Sequence, residues 1–156
     1  MVKYIKLNRN SQAKVDDKNY EWLNQWEWKL DGQGYAVRLV WQNNTCVRIA
    51  MHRIINHTQK GMVTDHINHD RLDNREDNLR SCTWQQNCQH RAISKVNKSG
   101  IKGVYWNKNL KKWHARIGTT IEGVYKQKHL GFFSSKNLAA KAYKEAAEIY
   151  YGEFAC

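Results

Sequence analysis

Val63–Asn87 reads VTDHINHDRLDNREDNLRSCTWQQN, and the fold of this chain turns on it. Val63 to Ile67 suits a strand, Asn68 to Asp77 a polar loop, and Leu79 to Cys82 a second short strand. Thr83-Trp84-Gln85-Gln86 has the form of a capping box, in which the Thr and Gln side chains each satisfy a backbone N–H of the other, so a helix is predicted from Trp84. The order is strand, loop, strand, helix. With the strands antiparallel, Asp65 and His66 at the end of the first face the first turn of the helix, where Asn87 projects. Those three residues can surround one cation and one phosphate.

The residue types suit hydrolysis of a phosphodiester. That reaction needs a water deprotonated near neutral pH, a charge to offset the negative phosphorane, and support for the leaving 3′-oxygen; a histidine base with a divalent metal supplies all three. Asp65 and Asn87 offer hard oxygen ligands, which favour Mg²⁺ or Mn²⁺, one ion per site, and leave His66 free of the metal as base. His69 reads as a solvated loop residue, not a second ligand. The four cysteines, without close pairs, are wrongly spaced for a structural zinc or a disulfide framework.

Outward from this run, residues 35 to 51 alternate through a polar turn at Gln42 to Thr45, which predicts a β-hairpin leading into it, and a short helix through His52 to Asn56 can follow. Residues 16 to 28 suit a helix with Tyr20, Leu23 and Trp26 on one side, its tryptophans in the core. The polar stretch 94–100, SKVNKSG, reads as a linker. Beyond it, Val104 and Trp106, then Trp113, Ala115 and Ile117, alternate with polar neighbours, and Tyr125 to Phe132 suits a third strand. Ser134 or Ser135 then caps a helix that would bury Leu138, Ala139, Ala142, Ala146 and Ile149.

Charge separates these parts. The chain of 156 residues carries a net charge of +12, with 26 Lys and Arg against 14 Asp and Glu, alongside seven Trp and eight Tyr, a combination suited to a polyanion with stackable bases. Residues 95 to 156 hold twelve basic and four acidic side chains, whereas residues 51 to 94 hold six and five, so phosphate affinity is concentrated after the metal-friendly run. No signal peptide and no apolar run of membrane-spanning length is present, so a soluble, cytoplasmic protein without membrane function is expected.

The central run resembles the HNH endonucleases with a ββα-metal active site, above all the homing enzymes of phages and introns, from His52 to Arg91. The matching residues are His52-Arg53, Asp65-His66-Ile67, Leu72-Asp73-Asn74-Arg75, Asn78-Leu79-Arg80 and Asn87. The resemblance implies that His66 is the general base, that Asn78 holds its loop and orients the imidazole, and that Asp65 and Asn87 bind the metal. Asn87 stands where many members have His. The C-terminal part, through GVYW, KKWHARI, HLGFF and AAKAYKEAA, resembles the Apetala2 or ethylene-response-factor DNA-binding domain, which implies a sheet laid in the major groove. On that likeness and on strand alternation, Lys102, Tyr105, Asn107, His114, Arg116, Gln127 and His129 face DNA, with Lys108, Lys111, Lys112, Lys126 and Lys128 on phosphates. Arg53, Arg80 and Arg91 are expected to add DNA contacts from the first part, with His52-Arg53 open to two readings, a phosphate contact or support for the fold.

The expectation is therefore an α+β chain. An HNH nuclease domain occupies 1–93 with a hairpin leading into its ββα-metal core at about 63–93, and the linker 94–100 joins it to an Apetala2-like domain at 101–156 of three antiparallel strands and a helix. It would cut double-stranded DNA to 5′-phosphate and 3′-hydroxyl ends, as a monomer or homodimer without a small-molecule cofactor. A noncatalytic DNA-binding regulator that keeps the nuclease framework is the alternative, and an RNA-directed nuclease a third reading.

Overall fold

The computed structural model describes residues 1–121 and 123–156, and its backbone contacts divide the chain into two compact units, Met1–Asn87 and Cys88–Cys156. The division falls inside a helix, before the stretch expected to be a linker. Residues 94–100 are instead folded on themselves: Asn97 Oδ1 accepts from the Ser99 and Gly100 N–H groups, at 2.9 and 3.1 Å, because an Asx side chain can mimic a backbone turn.

In the first unit, β1 (Val2–Lys6) and β2 (Gln12–Asp16) form an antiparallel hairpin, and α1 (Asp17–Leu23) follows directly. The helix is shorter than expected. It ends at Leu23 because the chain turns so that Trp28 Nε1 donates to Leu23 O at 2.8 Å, which satisfies one of the carbonyls a helix end leaves open. Trp28, Leu23, Ile5, Val15 and Met51 make the core, and each such buried side chain contributes about 1.5–3 kcal/mol. Trp26 is only partly buried, packed edge-on to Trp22 and Trp28 with the Arg38 guanidinium 4.0 Å from its ring.

A second sheet orders β3 (Lys29–Leu30), β4 (Ala36–Gln42) and β5 (Thr45–Ala50), all antiparallel. The β4–β5 turn is Asn43-Asn44, both at positive φ, as a two-residue hairpin of the primed type requires. Chain from β5 passes straight into α2 (Met51–Ile55). Then β6 (Val63–His66) pairs antiparallel with β7 (Leu79–Cys82), and α3 (Trp84–His90) begins after Thr83. Strand, loop, strand and helix occur in the order expected.

The second unit pairs β8 (Val104–Asn107), β9 (Lys112–Ile121) and β10 (Val124–Phe133) antiparallel in the order β10-β9-β8, and packs α4 (Lys136–Tyr151) against them. Ser135 caps α4, its Oγ accepting from Leu138 N at 3.2 Å. The buried stripe of α4 is Ala139, Tyr143, Ala146 and Ala147, whereas Leu138 and Ile149 are 51% and 79% exposed. Small residues win that stripe because the sheet comes close. Gly103 shows how close: with φ at +63°, it has the Tyr143 ring where a Cβ would sit, so no larger residue fits.

Candidate active site

The antiparallel register of β6 and β7 sets Asp65 opposite Arg80 and His66 opposite Leu79. Asp65 and His66 are both buried, at 6% and 5% exposure, and the Arg80 guanidinium meets Asp65 Oδ2 through Nε at 2.9 Å and Nη2 at 2.8 Å. Arg80, expected to contact DNA, is instead paired with the carboxylate.

His66 Nε2 lies 3.3 Å from Asn74 Oδ1. An amide oxygen only accepts, so the imidazole must carry its proton on Nε2 and leave Nδ1 unprotonated. Burial holds the His66 pKa below the usual histidine value, against the raising effects of Asn74, Asp65, Asp70 and Asp73, so the ring is neutral at pH 7. A neutral, oriented imidazole is the state a general base starts from.

The orienting contact therefore comes from Asn74, not from Asn78 as the resemblance implied. Asn78 holds the loop: its Nδ2 donates to Asp73 O at 2.7 Å and its Oδ1 accepts from Asn68 N at 3.0 Å, which brackets residues 68–73. Asp73, 1% exposed, accepts from Arg75 Nε and Nη2 at 2.8 and 2.7 Å and from Asn68 at 2.9 Å, and Arg75 foremost keeps its carboxyl below the usual carboxylate range. Asn74 is fully buried and is fixed from outside the loop: Asn74 N donates to Lys14 O at 2.8 Å, and Lys14 N to Leu72 O at 2.7 Å. Strand β2 thus carries the loop that carries the partner of the imidazole. Asp73 and Asn74 belong to the stretch Leu72–Arg75, whose spacing alone assigns them no role.

His52, on α2, packs its ring against His66, with centroids 5.2 Å apart, and against Tyr35 at 4.8 Å. Burial, then the nearby His66, Arg48 and Arg53, push its pKa down to about 3. Arg53 donates to Met62 O at 3.1 Å and so braces the chain between α2 and β6.

On α3 the capping box forms as read: Gln86 N donates to Thr83 Oγ1 at 3.2 Å, and Thr83 N to Gln86 Oε1 at 2.8 Å. Asn87 lies one turn on, half-buried, with its N–H on Thr83 O at 3.0 Å and no side-chain hydrogen bond among the described residues. The donor set fits a hard divalent cation. Asp65 supplies a carboxylate with lone pairs on two oxygens, of which Arg80 meets Oδ2, and Asn87 supplies an amide oxygen; a soft ion would want sulfur or imidazole.

In the second unit, one face of the sheet gathers Tyr105, His114, Arg116, Gln127 and His129, as strand alternation predicted. His114 Nε2 is 2.5 Å from His129 Nδ1, Arg116 donates to Gln127 Oε1 at 2.9 Å, and the Arg116 guanidinium lies 4.8 Å from the Tyr105 ring centroid. Lys112 stands opposite Asn107 on the same face, and Lys108 is exposed in the turn beside it. Lys126 and Lys128 alternate onto the helix-bearing face, where Lys128 Nζ donates to Tyr150 OH at 2.7 Å. Lys102 leaves the sheet face as well, donating to Gln89 O at 3.0 Å beside Cys156. Asn107 spends its Oδ1 on the Asn109 and Leu110 N–H groups of the β8–β9 turn. Arg91 belongs to the segment just after α3.

Comparison with known proteins places these observations. Residues 51–89 match the family model described as HNH endonuclease. An uncharacterized HNH endonuclease, L560, of Acanthamoeba polyphaga mimivirus is 29% identical over 139 residues, covering 85% of this chain and 67% of the relative. Protein 3.8 of Escherichia phage T7 is 32% identical over 96 residues, covering 62% of this chain and 75% of the relative. Among solved structures, one titled "DNA binding and cleavage by the HNH homing endonuclease I-HmuI" is 18% identical with a TM-score of 0.38, and the match spans 65% of this chain and 60% of that one. Because the family match falls on the run from α2 to α3 that holds His52, Asp65, His66, Asn74, Asn78 and Asn87, and the phage relative is aligned over most of its length, this chain belongs to the HNH endonuclease family.

Proposed function

We propose that this chain is a divalent-metal-dependent DNA endonuclease of the homing type, with His66 as general base and Asp65 and Asn87 as the residues that hold the cation. The observation that carries the reading is the buried, neutral His66 imidazole, whose Nε2–H is engaged by Asn74 so that Nδ1 is left to accept a proton from water. Mg²⁺ or Mn²⁺, when bound, supplies the charge that offsets the phosphorane and stabilises the leaving 3′-oxygen. Asn74 keeps the imidazole in one tautomer while it takes the proton, and Asn78 with Asp73 keeps the loop from shifting beneath it. Hydrolysis leaves a 5′-phosphate and a 3′-hydroxyl.

The second unit supplies grip on duplex DNA in this reading, in the manner of an Apetala2-like sheet. Tyr105, His114, Arg116, Gln127 and His129 present donors, acceptors and ring faces on one surface, and Lys108 and Lys112 lie at its edge for phosphate. The test is incubation of the protein with supercoiled plasmid and Mg²⁺, followed by end mapping. Nicked or linear product with 5′-phosphate ends is expected, blocked by EDTA and absent with His66→Ala, whose duplex affinity should match the wild type. Full cleavage in EDTA, or by a nuclease-free preparation of His66→Ala, would overturn the reading.

A further inference from the structure

We propose that Phe132 reads thymine, its ring packing against the 5-methyl group of a thymine in the major groove of bound duplex; the inference rests on the reading above that this sheet grips duplex DNA. The side chains gathered on that face, Tyr105, His114, Arg116, Gln127 and His129, each carry a polar atom, whereas Phe132 carries none and is 40% exposed. A bulge puts it there. The register of β10 slips between His129, opposite Arg116, and Gly131, opposite Ala115, so Leu130 is an extra residue and Phe132 falls opposite His114. In a regular strand, side chains three positions apart point to opposite faces; the bulge brings His129 and Phe132 onto one face, with ring centroids 4.9 Å apart. Gly131 turns through φ +138° to make the slip, a conformation open to glycine.

The surroundings favour a methyl group carried on a nucleic acid. Strands β8, β9 and β10 contain no Asp or Glu, so no carboxylate on them repels phosphate, while Arg116 and Lys112 flank His114 along β9. His114 stacks on the Phe132 ring, with centroids 4.6 Å apart and planes at 26°, and His129 lies against it at 53°. A ring flanked in this way offers its rim to an incoming base instead of an open face for stacking. In the major groove thymine alone presents an apolar group, and phenylalanine is among the side chains that contact it.

The probe is a duplex selected from a randomised pool by the whole protein in EDTA, which prevents cutting. It is then synthesised with deoxyuridine in place of thymine, one position at a time, which removes only the methyl. At one position the change should weaken wild-type binding about fourfold, the value of one buried methyl. Phe132→Ala should bind the thymine and deoxyuridine duplexes equally, and Phe132→Leu should keep most of the difference. Any destabilisation of the sheet by Phe132→Ala cancels between the two duplexes, because the methyl is removed from the DNA. A methyl effect of the same size in wild type and Phe132→Ala, or none at any thymine, would overturn the proposal. Phe132-dependent binding of the single strand as tight as that of the duplex would overturn it too, by making the ring a stacking platform for unpaired bases. Failure to enrich any duplex would sink the duplex reading of the sheet and this inference together, whereas enrichment without a methyl effect coupled to Phe132 would sink the inference alone.

Discussion

Replacing Asn74 by alanine tests the link on which the proposed role of His66 as base depends. The substitution removes the Oδ1 contact to His66 Nε2 at 3.3 Å and the Nδ2 contact to Leu72 O at 3.3 Å, while the backbone bond from Asn74 N to Lys14 O remains. Only the part of the His66 contact that strengthens in the transition state bears on the rate. A hydrogen bond between neutral groups contributes about 0.5–1.5 kcal/mol and one to a charged group about 1.5–3 kcal/mol, so protonation of His66 adds about 1–1.5 kcal/mol, or roughly a tenfold rate effect. Both contacts are long, which puts the expected loss near that figure and well short of the loss for His66→Ala. The assay is single-turnover cleavage of plasmid at saturating protein, with duplex affinity measured in parallel. Asn74→Asp serves as the companion: a carboxylate there favours the imidazolium and raises the His66 pKa. In the proposed mechanism His66 acts in its neutral form, so the acid limb of the rate profile should move to higher pH. A rate within twofold of wild type for Asn74→Ala, or an unmoved acid limb for Asn74→Asp, would refute the argument.

Two further outcomes follow from the charges described. Asp73 is held below its ordinary pKa by Arg75, so its contribution to stability is fully present above the unfolded aspartate value near 3.9 and is lost as pH falls through the lower folded value. Asp73→Asn should therefore lower the urea midpoint at pH 7, with the gap closing towards pH 3, and a gap of equal size at both would count against it. On the sheet of the second unit, burial, His129 and Arg116 depress the pKa of His114, so protonation comes only as pH falls below the usual histidine range. Bound phosphate favours the protonated form, so duplex affinity should rise from pH 7.5 to 5.5, with the salt slope steepening by about 0.9 for one added charge. A pH-independent isotherm, or one that keeps its pH dependence in His114→Gln, would show that the histidine pair does not meet DNA.

What was legible in the sequence is what local chemistry decides. Thr83 and Gln86 are three residues apart, and their reciprocal bonds need no other part of the chain. Asp65 and His66 lie at the end of the strand read at Val63 to Ile67, where β6 buries both. Asn74 was not assigned, since its approach to His66 depends on Lys14, 60 positions upstream, and no spacing rule links the two. The grouping of Lys126 and Lys128 with Gln127 and His129 went against period-two alternation, which sends neighbouring side chains to opposite faces. The buried stripe of α4 was drawn through Leu138 and Ile149 by hydrophobicity, whereas close approach to the sheet selects alanines and Tyr143. Helix α1 was drawn too long because tryptophan spacing resembles helical periodicity even where the rings stack edge to edge in an irregular turn.

The lacing of the 72–74 backbone to β2 bears on how the nuclease centre comes into being. Every residue of the HNH match lies within 51–89, yet the loop beneath the imidazole is registered by a strand laid down far earlier in the chain. Closing a loop of that length costs entropy that no short-range contact repays beforehand, which sets this contact apart from the local Thr83–Gln86 bonds. A fragment confined to the family segment would carry the whole motif and still lack the template that turns Asn74 towards His66. The smallest piece of this chain that keeps the Asn74–His66 contact together with its backbone support therefore begins at the first hairpin, not at the motif.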